Sequence, residues 1–277
     1  MKKNTKTIGM MDSGIGGLTV LKAAVQSMPA EAIVYVGDTA RMPYGPREPE
    51  EVADFTRQIA DYLIGNHDIK ALVIACNTAT ACALPGLQED LAIPVIGVID
   101  SGVQSAVLAS KTKKIGVIAT EGTVDSGQYQ AEIQEAAPGS QVFAQAEPDF
   151  VQFVEQNRYQ DAEVAEIVKD HLQPLKEAGI DTLVLGCTHF PLLADVIQQA
   201  LPEVTLVDPG VATAQKLATI LKEQDLLADS DTAARPENKQ YQLYTTGPVS
   251  TFSTIAEQWL GSKHDWHFTH LNLPATD

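Results

Sequence analysis

The sequence predicts an α/β fold in which parallel strands are covered by helices on both faces. Eight short apolar runs alternate along the chain with segments of helical periodicity. Strands that are apolar throughout are typical of parallel sheets, because both faces of such sheets are buried. The length of 277 residues corresponds to roughly two domains. The predicted strands are 7–11, 32–36, 71–75, 94–98, 114–119, 141–144, 182–186 and 204–207.

The segments between and after these strands contain the predicted helices. Apolar residues recur in them at the spacing of one helix face. A polar stretch at 230–239 predicts a surface loop, and the alternating residues 241–245 that follow it predict an edge strand. The helices expected are 16–26, 50–64, 164–178, 211–224 and 252–260.

The two sets of four strands resemble each other, which indicates an internal repeat. The run TIGMM of the first strand is similar to KIGVI of the fifth, and ALVIAC is similar to TLVLGC. Cys76 follows Ile8 by 68 residues, and Cys187 follows Ile115 by 72 residues. Chance similarity between short apolar strands is the alternative explanation. If the repeat is real, each half places a cysteine at the carboxyl end of an equivalent strand.

The composition indicates a strongly acidic surface. The 36 acidic and 19 basic side chains give a net charge of −17, which repels the phosphates of nucleic acids. No apolar run approaches the roughly 18 residues of a membrane helix, and Asp12 interrupts the apolar stretch after the N-terminal lysines, which argues against a signal peptide. We therefore expect a cytoplasmic protein with no nucleic-acid or membrane partner. A small anionic substrate would be held by local donors and dipoles.

The three cysteines do not fit a disulfide framework or a metal site. Their number is odd, and the chain has no CxxC pair and no cysteine–histidine cluster with zinc spacing. Cys82 lies in an alanine-rich helical stretch, so we expect it to be inert. Cys76 and Cys187 each end an apolar strand, which is where open parallel sheets bind ligands. Polar residues follow both, so we interpret these two as reactive thiols.

A glycine-rich turn follows the first strand. The sequence DSGIGG begins at Asp12 and precedes a helix, so its backbone N–H groups can bind an anion. Thr19 stands where a dinucleotide fingerprint needs glycine, and no lysine provides a P-loop, so nucleotide binding is disfavoured. Asp12 is either a helix cap or a functional carboxylate, and the sequence alone favours the cap.

A second turn, after the second strand, contains Tyr44. Pro43 and Gly45 can fix a turn that holds the Tyr44 side chain out of the core, although an ordinary loop with a packed tyrosine fits equally well. Arg41 and Arg47 flank this turn and could reach an anionic substrate from the rim.

The residues that follow the two thiols favour proton transfer. A helix N-terminus favours a cysteine thiolate, and His189 lies two residues from Cys187, where it can assist. Racemisation removes an α-proton from one face and returns one to the other, so two thiols on opposite faces supply both base and acid. The residues expected to donate hydrogen bonds to substrate carboxylates are Ser13, Asn77, Thr78 and Thr188.

Together these motifs resemble those of the cofactor-independent aspartate/glutamate racemase family. The matching sequences are DSGIGG, PYG, CNTAT and GCTHFP, which occur in the family's order over nearly the whole chain. The resemblance implies that Cys76 and Cys187 are the catalytic acid/base pair, assisted by Asp12 and His189, and that no cofactor or metal takes part. It implies a pocket lined by Asp12, Ser13, Tyr44, Gly45, Asn77, Thr78, Thr188 and His189. We leave Glu155 out of this set, because the preceding sequence, Glu147-Pro148-Asp149, departs from the sequence that is commoner in the family.

The resemblance also implies two pseudo-symmetric, doubly wound parallel-sheet domains with the active site between them. The first domain would comprise 1–99 and 209–277, and the second 100–208. Homodimers are common in the family, and D-glutamate made by its members feeds peptidoglycan synthesis. An aspartate racemase is the nearest alternative. Glutamate differs from aspartate by one methylene, which allows an enzyme to discriminate between the two substrates by only about 1–3 kcal/mol. A pyridoxal phosphate enzyme is disfavoured, because none of the motifs contains a lysine. A two-domain protein that binds a small amino acid without reacting with it is a further alternative, but this function would not explain the paired thiols.

Overall fold

The computed structural model describes residues 6–228 and 240–274 and contains two parallel β-sheets. The first sheet has the strand order β10-β9-β2-β1-β3-β4, and the second has the order β6-β5-β7-β8. The strands are β1 (Thr7–Asp12), β2 (Ile33–Gly37), β3 (Ile69–Ile74), β4 (Val95–Gly97), β5 (Lys114–Ala119), β6 (Gln141–Ala146), β7 (Thr182–Gly186), β8 (Thr205–Val207), β9 (Tyr241–Thr245) and β10 (His267–His270).

Helices connect the strands within each sheet and between the two sheets. They are α1 (Leu18–Ser27), α2 (Pro49–Asn66), α3 (Asn77–Asp90), α4 (Val98–Ala109), α5 (Glu121–Asp125), α6 (Gln128–Ala136), α7 (Pro148–Glu155), α8 (Ala162–His171), α9 (Gln173–Ala178), α10 (Ala194–Ala200), α11 (Pro209–Glu223) and α12 (Val249–Leu260), with a 3-10 helix at Phe190–Leu193. None of the helices in these two described stretches is long and apolar enough to cross a membrane.

Both faces of the first sheet are buried, as its uniformly apolar strands require. Successive residues of β1 point to opposite faces. Met10 packs in a core with Leu21 of α1 and Leu217 of α11, whereas Met11 packs in a separate core with Phe55 of α2. All these side chains are less than 5 % exposed.

The second sheet is covered in the same way. Val117 of β5 packs with Ile133 of α6, and the next residue, Ile118, packs on the other face with Phe150 of α7 and Val168 of α8. The order β2-β1-β3-β4 in the first sheet corresponds to β6-β5-β7-β8 in the second. This common order confirms the internal repeat, and it places β3 and β7, the strands before the two cysteines, in equivalent positions.

The C-terminal segment belongs to the first sheet and corrects one prediction. The strand expected at an edge, β9, lies inside the sheet because β10 pairs with its outer side. Strand β10 has four residues, HFTH, of which two are exposed, so it lacks the apolar pattern of the other strands. The loop predicted at 230–239 lies outside the described residues.

The helix predicted as one element at 164–178 is two helices. Helix α8 ends at His171 and α9 begins at Gln173, with Pro174 in its first turn. Proline has no N–H to donate and restricts the residue before it, so it begins a new helix more readily than it continues an old one.

Candidate active site

The carboxyl ends of strands from both sheets face a common cavity of about 360 Å³. This position follows from the repeat, because equivalent strands of the two sheets end toward each other. The cavity brings together most of the residues that the sequence motifs predict. Those that line it are Ser13, Tyr44, Gly45, Cys76, Asn77, Thr78, Cys187, Thr188 and His189.

Cys76 enters the cavity from the first sheet. It caps the N-terminus of α3, where its sulfur accepts a hydrogen bond from the backbone N–H of Ala79 at 3.4 Å. The thiol donates to the hydroxyl of Ser13 at 3.6 Å. Burial and the nearby Asp12 carboxylate raise the pKa of Cys76 to about 12, more than its hydrogen bonds lower it. At neutral pH, Cys76 is therefore a protonated thiol that can act as an acid.

Cys187 enters from the second sheet and has different partners. Its sulfur lies 3.6 Å from Nδ1 of His189, whose Nε2 lies 3.5 Å from a carboxylate oxygen of Glu155. The His189–Glu155 contact is an ion pair without the alignment of a hydrogen bond. Burial alone would lower the pKa of His189, but Cys187 and Glu155 raise it to about 10. His189 is therefore protonated at neutral pH, which places a positive charge beside the Cys187 sulfur.

Asp12 lies behind the cavity wall and is not the N-cap residue of α1. That position is Gly17, whose backbone N–H donates to the Asp12 carboxylate, so Asp12 contacts the start of the helix from outside it. The buried carboxylate also accepts from the N–H of Gly14 at 2.9 Å and from the hydroxyl of Thr188 at 3.4 Å. Burial raises its pKa, although the His189 charge lowers it. Asp12 thus connects the glycine-rich turn to the residue that follows Cys187.

The glycine-rich turn lets the two halves of the site approach closely. A Cβ atom added to Gly16 would lie 2.2 Å from Oγ1 of Thr188 and 2.7 Å from Nδ1 of His189. The hydroxyl of Thr19 donates to the carbonyl oxygen of Thr188 at 3.1 Å, which ties the same two segments together. A side chain at residue 16 would push the Cys187 segment away from the turn.

The Tyr44 side chain is part of the core, which decides between the two alternatives in favour of an ordinary loop with a packed tyrosine. Its hydroxyl donates to Asp38 at 2.5 Å, and its ring packs on Phe55 with the ring centres 5.7 Å apart. Arg41 bonds to Asp38 and Gln58 and is not among the cavity-lining residues. Arg47, bonded to Glu51, is not among them either.

The cavity also contains residues that the sequence motifs did not identify. Thr120 follows β5, in the position that Ser13 and its neighbours occupy after β1, and this equivalence was the available signal. Its hydroxyl lies 2.9 Å from that of Thr78 and 3.1 Å from that of Thr123. Tyr129 donates to the side-chain oxygen of Asn77 at 2.8 Å, which leaves the Asn77 amide N–H groups for a ligand. Further lining residues are Glu121, Gln152 and Glu155.

The cavity's polar groups suit a small ligand with carboxylates. None of the described lining residues is a lysine or arginine, so the donors are hydroxyls, amides, backbone N–H groups and His189. Within 6–228 and 240–274, no group of three or more histidine, cysteine, aspartate or glutamate side chains is arranged to hold a metal ion.

Two parallel sheets with equivalent cysteines at one cavity define a class of protein, and comparison of the sequence with known families identifies it. The chain belongs to the Asp/Glu/Hydantoin racemase family, whose sequence model matches residues 8–217.

Within that family, the chain is similar to glutamate racemases. It is 47% identical to the glutamate racemase of Lactiplantibacillus plantarum over 271 residues, which cover 98% of this chain and 97% of that protein. The crystal structure of a glutamate racemase isoform from Bacillus anthracis superimposes with a TM-score of 0.92 at 42% identity, covering 99% of this chain and 100% of the other. The glutamate racemase of Francisella tularensis in complex with D-glutamate gives 0.86 at 34% identity, with 98% of each chain covered.

Proposed function

We propose that this chain is a glutamate racemase, which interconverts L-glutamate and D-glutamate by proton transfer between two thiols. The observation that carries the proposal is the arrangement of Cys76 and Cys187, which follow equivalent strands of two sheets and line one cavity. A single base could return the proton only to the face from which it came, whereas two groups on opposite faces invert the centre. The chemistry requires no cofactor.

The proposed reaction uses the electrostatic difference between the two sulfurs. With L-glutamate, the Cys187 thiolate removes the α-proton, and the electron pair of the broken C–H bond remains on the substrate. The Cys76 thiol then gives its proton to the opposite face, which leaves Cys76 as the thiolate and Cys187 as the thiol. D-glutamate reacts in reverse. Protonated His189 stabilises the Cys187 thiolate. The thiolate that forms at Cys76 accepts from the N–H of Ala79, and the Ser13 hydroxyl, which accepts from the thiol, can turn to donate to it.

The proposed site comprises catalytic Cys76 and Cys187, with Asp12 and His189 as assisting groups. Backbone N–H groups at helix N-termini, together with hydroxyl and amide side chains, hold the two carboxylates of glutamate. We add Glu155, because its carboxylate contacts His189. The substrate-binding set is Asp12, Ser13, Tyr44, Gly45, Asn77, Thr78, Thr188 and His189, where Tyr44 contributes through its turn and Asp12 through its neighbours.

The wider proposals concern organisation and cellular role. We propose domains of 1–99 with 209–277 and of 100–208, which the pairing of β9 with β2 and the equivalent sheet orders support. We also propose a cytoplasmic homodimer whose D-glutamate is used for peptidoglycan synthesis. The support for that role is the similarity to glutamate racemases over nearly the full chain.

The decisive experiment incubates the purified protein with L-glutamate in heavy water. We expect loss of the α-proton signal in the NMR spectrum and formation of D-glutamate on a chiral column. Cys76→Ala and Cys187→Ala should abolish racemisation, whereas Cys82→Ala is the matched control, since Cys82 does not line the cavity. Faster turnover of aspartate than of glutamate would favour an aspartate racemase. Binding of glutamate without exchange would favour a non-catalytic amino-acid-binding protein.

A further inference from the structure

A buried hydrogen-bonded network lies at the start of α7, outside the cavity. Glu147, which precedes α7, is 1 % exposed. One of its carboxylate oxygens lies 2.7 Å from Nδ1 of His171, the last residue of α8. The other accepts from the side-chain amide of Gln145 at 2.5 Å, and that amide also donates to the carbonyl oxygen of His171 at 2.7 Å. The end of β6, the start of α7 and the end of α8 are thereby joined at one carboxylate.

The network adjoins the first residue of α7, Pro148, and α7 forms one wall of the cavity. The cavity-lining residues on this helix are Pro148, Val151, Gln152 and Glu155. Glu155 is the last residue of α7 and the one whose carboxylate reaches His189. Between the two ends, Phe150 stacks on His171 with ring centres 5.8 Å apart and meets Phe190 edge-on at 5.7 Å. A displacement of the first turn therefore moves Glu155 relative to His189.

Keeping an acidic group at this buried position is unfavourable on its own. Burial raises the pKa of Glu147, and the hydrogen bonds and charge of His171 and the bond from Gln145 lower it only in part. Asp149, on the first turn of α7, adds a like charge. An apolar side chain would fill the position without this cost. A role in orienting α7 explains why an acidic group is kept here, because hydrogen bonds fix the orientation of a helix more specifically than apolar packing does.

We propose that Glu147 and His171 are positioning residues for the reaction, which hold α7 so that Glu155 stays beside His189 and His189 beside Cys187. The inference rests on the proposed racemase function, but it concerns only one of the two thiols. The hydrogen-bond partners of Cys76 given above, Ala79 and Ser13, lie on α3 and in the glycine-rich turn, and neither is on α7. A defect at Glu147 should therefore affect the Cys187 side of the site selectively.

The test is a double-mutant cycle between Glu147→Ala and Glu155→Gln, read by racemisation and by alkylation. We expect Glu147→Ala to lower kcat by about tenfold or more, the size of effect that a displaced catalytic contact produces. Alkylation of each cysteine by iodoacetamide, followed by mass spectrometry of its peptide, should slow at Cys187 and stay within about twofold at Cys76. In the Glu155→Gln background, Glu147→Ala should change the rates of racemisation and of Cys187 alkylation by less than about twofold. The reason is that the contact between Glu155 and His189, which Glu147 maintains, is already lost.

Two milder variants and one control keep the test informative if Glu147→Ala folds poorly. Glu147→Gln keeps an acceptor for His171, and His171→Asn keeps a donor near the position of Nδ1, so both should retain activity between those of the wild type and Glu147→Ala. Glu166→Gln removes an exposed carboxylate on α8 that pairs with Lys169, and it should leave all rates unchanged. Circular dichroism of every variant verifies folding.

Two results would overturn the positioning role. One is that the effects of Glu147→Ala and Glu155→Gln multiply, which would mean that Glu147 acts independently of Glu155. The other is equal slowing or acceleration of alkylation at Cys76 and Cys187, which would indicate general loosening of the fold. Absence of glutamate racemisation by the wild-type protein would refute the proposed function alone, since the alkylation cycle would still decide the role of Glu147.

Discussion

Removal of the Glu155 carboxylate should return the His189 imidazole toward ordinary titration. In the intact site, burial opposes the imidazolium, but Cys187 and Glu155 raise the pKa of His189 from 6.5 to about 10. That difference corresponds to about 5 kcal/mol in favour of the charged ring. Glu155→Gln keeps the size and burial of the side chain and removes one of the two anionic partners. Because one opposite charge at this distance typically accounts for 1–3 pH units, we expect the pKa of His189 to fall to between about 7 and 9.

The assay is NMR of protein labelled with ¹⁵N in the histidine rings, titrated from about pH 6 to pH 10. His189→Asn identifies the resonances of His189 among those of the six histidines in the chain. In the wild type, the His189 ring nitrogens should stay in the imidazolium state through neutral pH, and in Glu155→Gln they should shift as the pH rises through neutrality. Glu166→Gln, far from this contact on the exposed side of α8, serves as the charge-matched control.

Either of two results would refute the reasoning about His189. If the wild-type ring titrated near 6.5, neither partner would be stabilising its charge, and the role proposed for His189 beside Cys187 would have no basis. If the titration were unchanged by Glu155→Gln, the ion pair at 3.5 Å would contribute nothing, and Cys187 alone would account for the charged ring. A loss of activity without a change in titration would point to a role for Glu155 in binding substrate.

Three further predictions concern the thiols, the glycine-rich turn and the stability of the second sheet. A glutamate analogue that eliminates a leaving group after α-proton loss tests each thiol separately: Cys76→Ala should retain elimination from the L form only, and Cys187→Ala from the D form only. The opposite pattern would mean that each thiol acts on the other enantiomer. Racemisation at the wild-type rate by either variant would exclude the two-base mechanism. Gly16→Ala should lower activity at least about tenfold, because its Cβ would clash with Thr188, and wild-type kinetics would contradict the close packing. Asp181→Asn should lower the free energy of unfolding by about 1 kcal/mol at pH 7 in urea titrations. Burial raises the pKa of Asp181, but the hydrogen bonds from Ser110 and residues 111 and 112 lower it by more. The stabilisation by the ionised carboxylate is therefore present above about pH 4 and is lost as the pH falls further. An equal effect of Asp181→Asn at pH 7 and pH 2 would contradict this role of the carboxylate.

The eight strands predicted from apolar runs are all present, because burial on both faces makes most residues of the inner strands apolar. The position of the site was also predictable, since ligands bind at the carboxyl ends of parallel strands and the four motifs lie there. Strand β10 was missed because its pattern is half exposed. The burial of Tyr44 depends on its bond to Asp38 in the same loop and on packing against Phe55 of α2, and the loop sequence indicates neither contact.

The chemical difference between the two thiols is the part of the site that the sequence conceals. Cys76 and Cys187 end equivalent strands, and the repeat makes them look interchangeable. Their environments differ through residues far away in the chain: burial and the Asp12 carboxylate raise the pKa of Cys76, whereas Cys187 itself and Glu155 raise the pKa of His189. Racemisation needs a base and an acid together, so two sulfurs in identical surroundings would have to break their symmetry before each turnover. Here the two environments already differ, so in the proposed reaction the Cys187 side takes the proton from L-glutamate and Cys76 gives one to the opposite face.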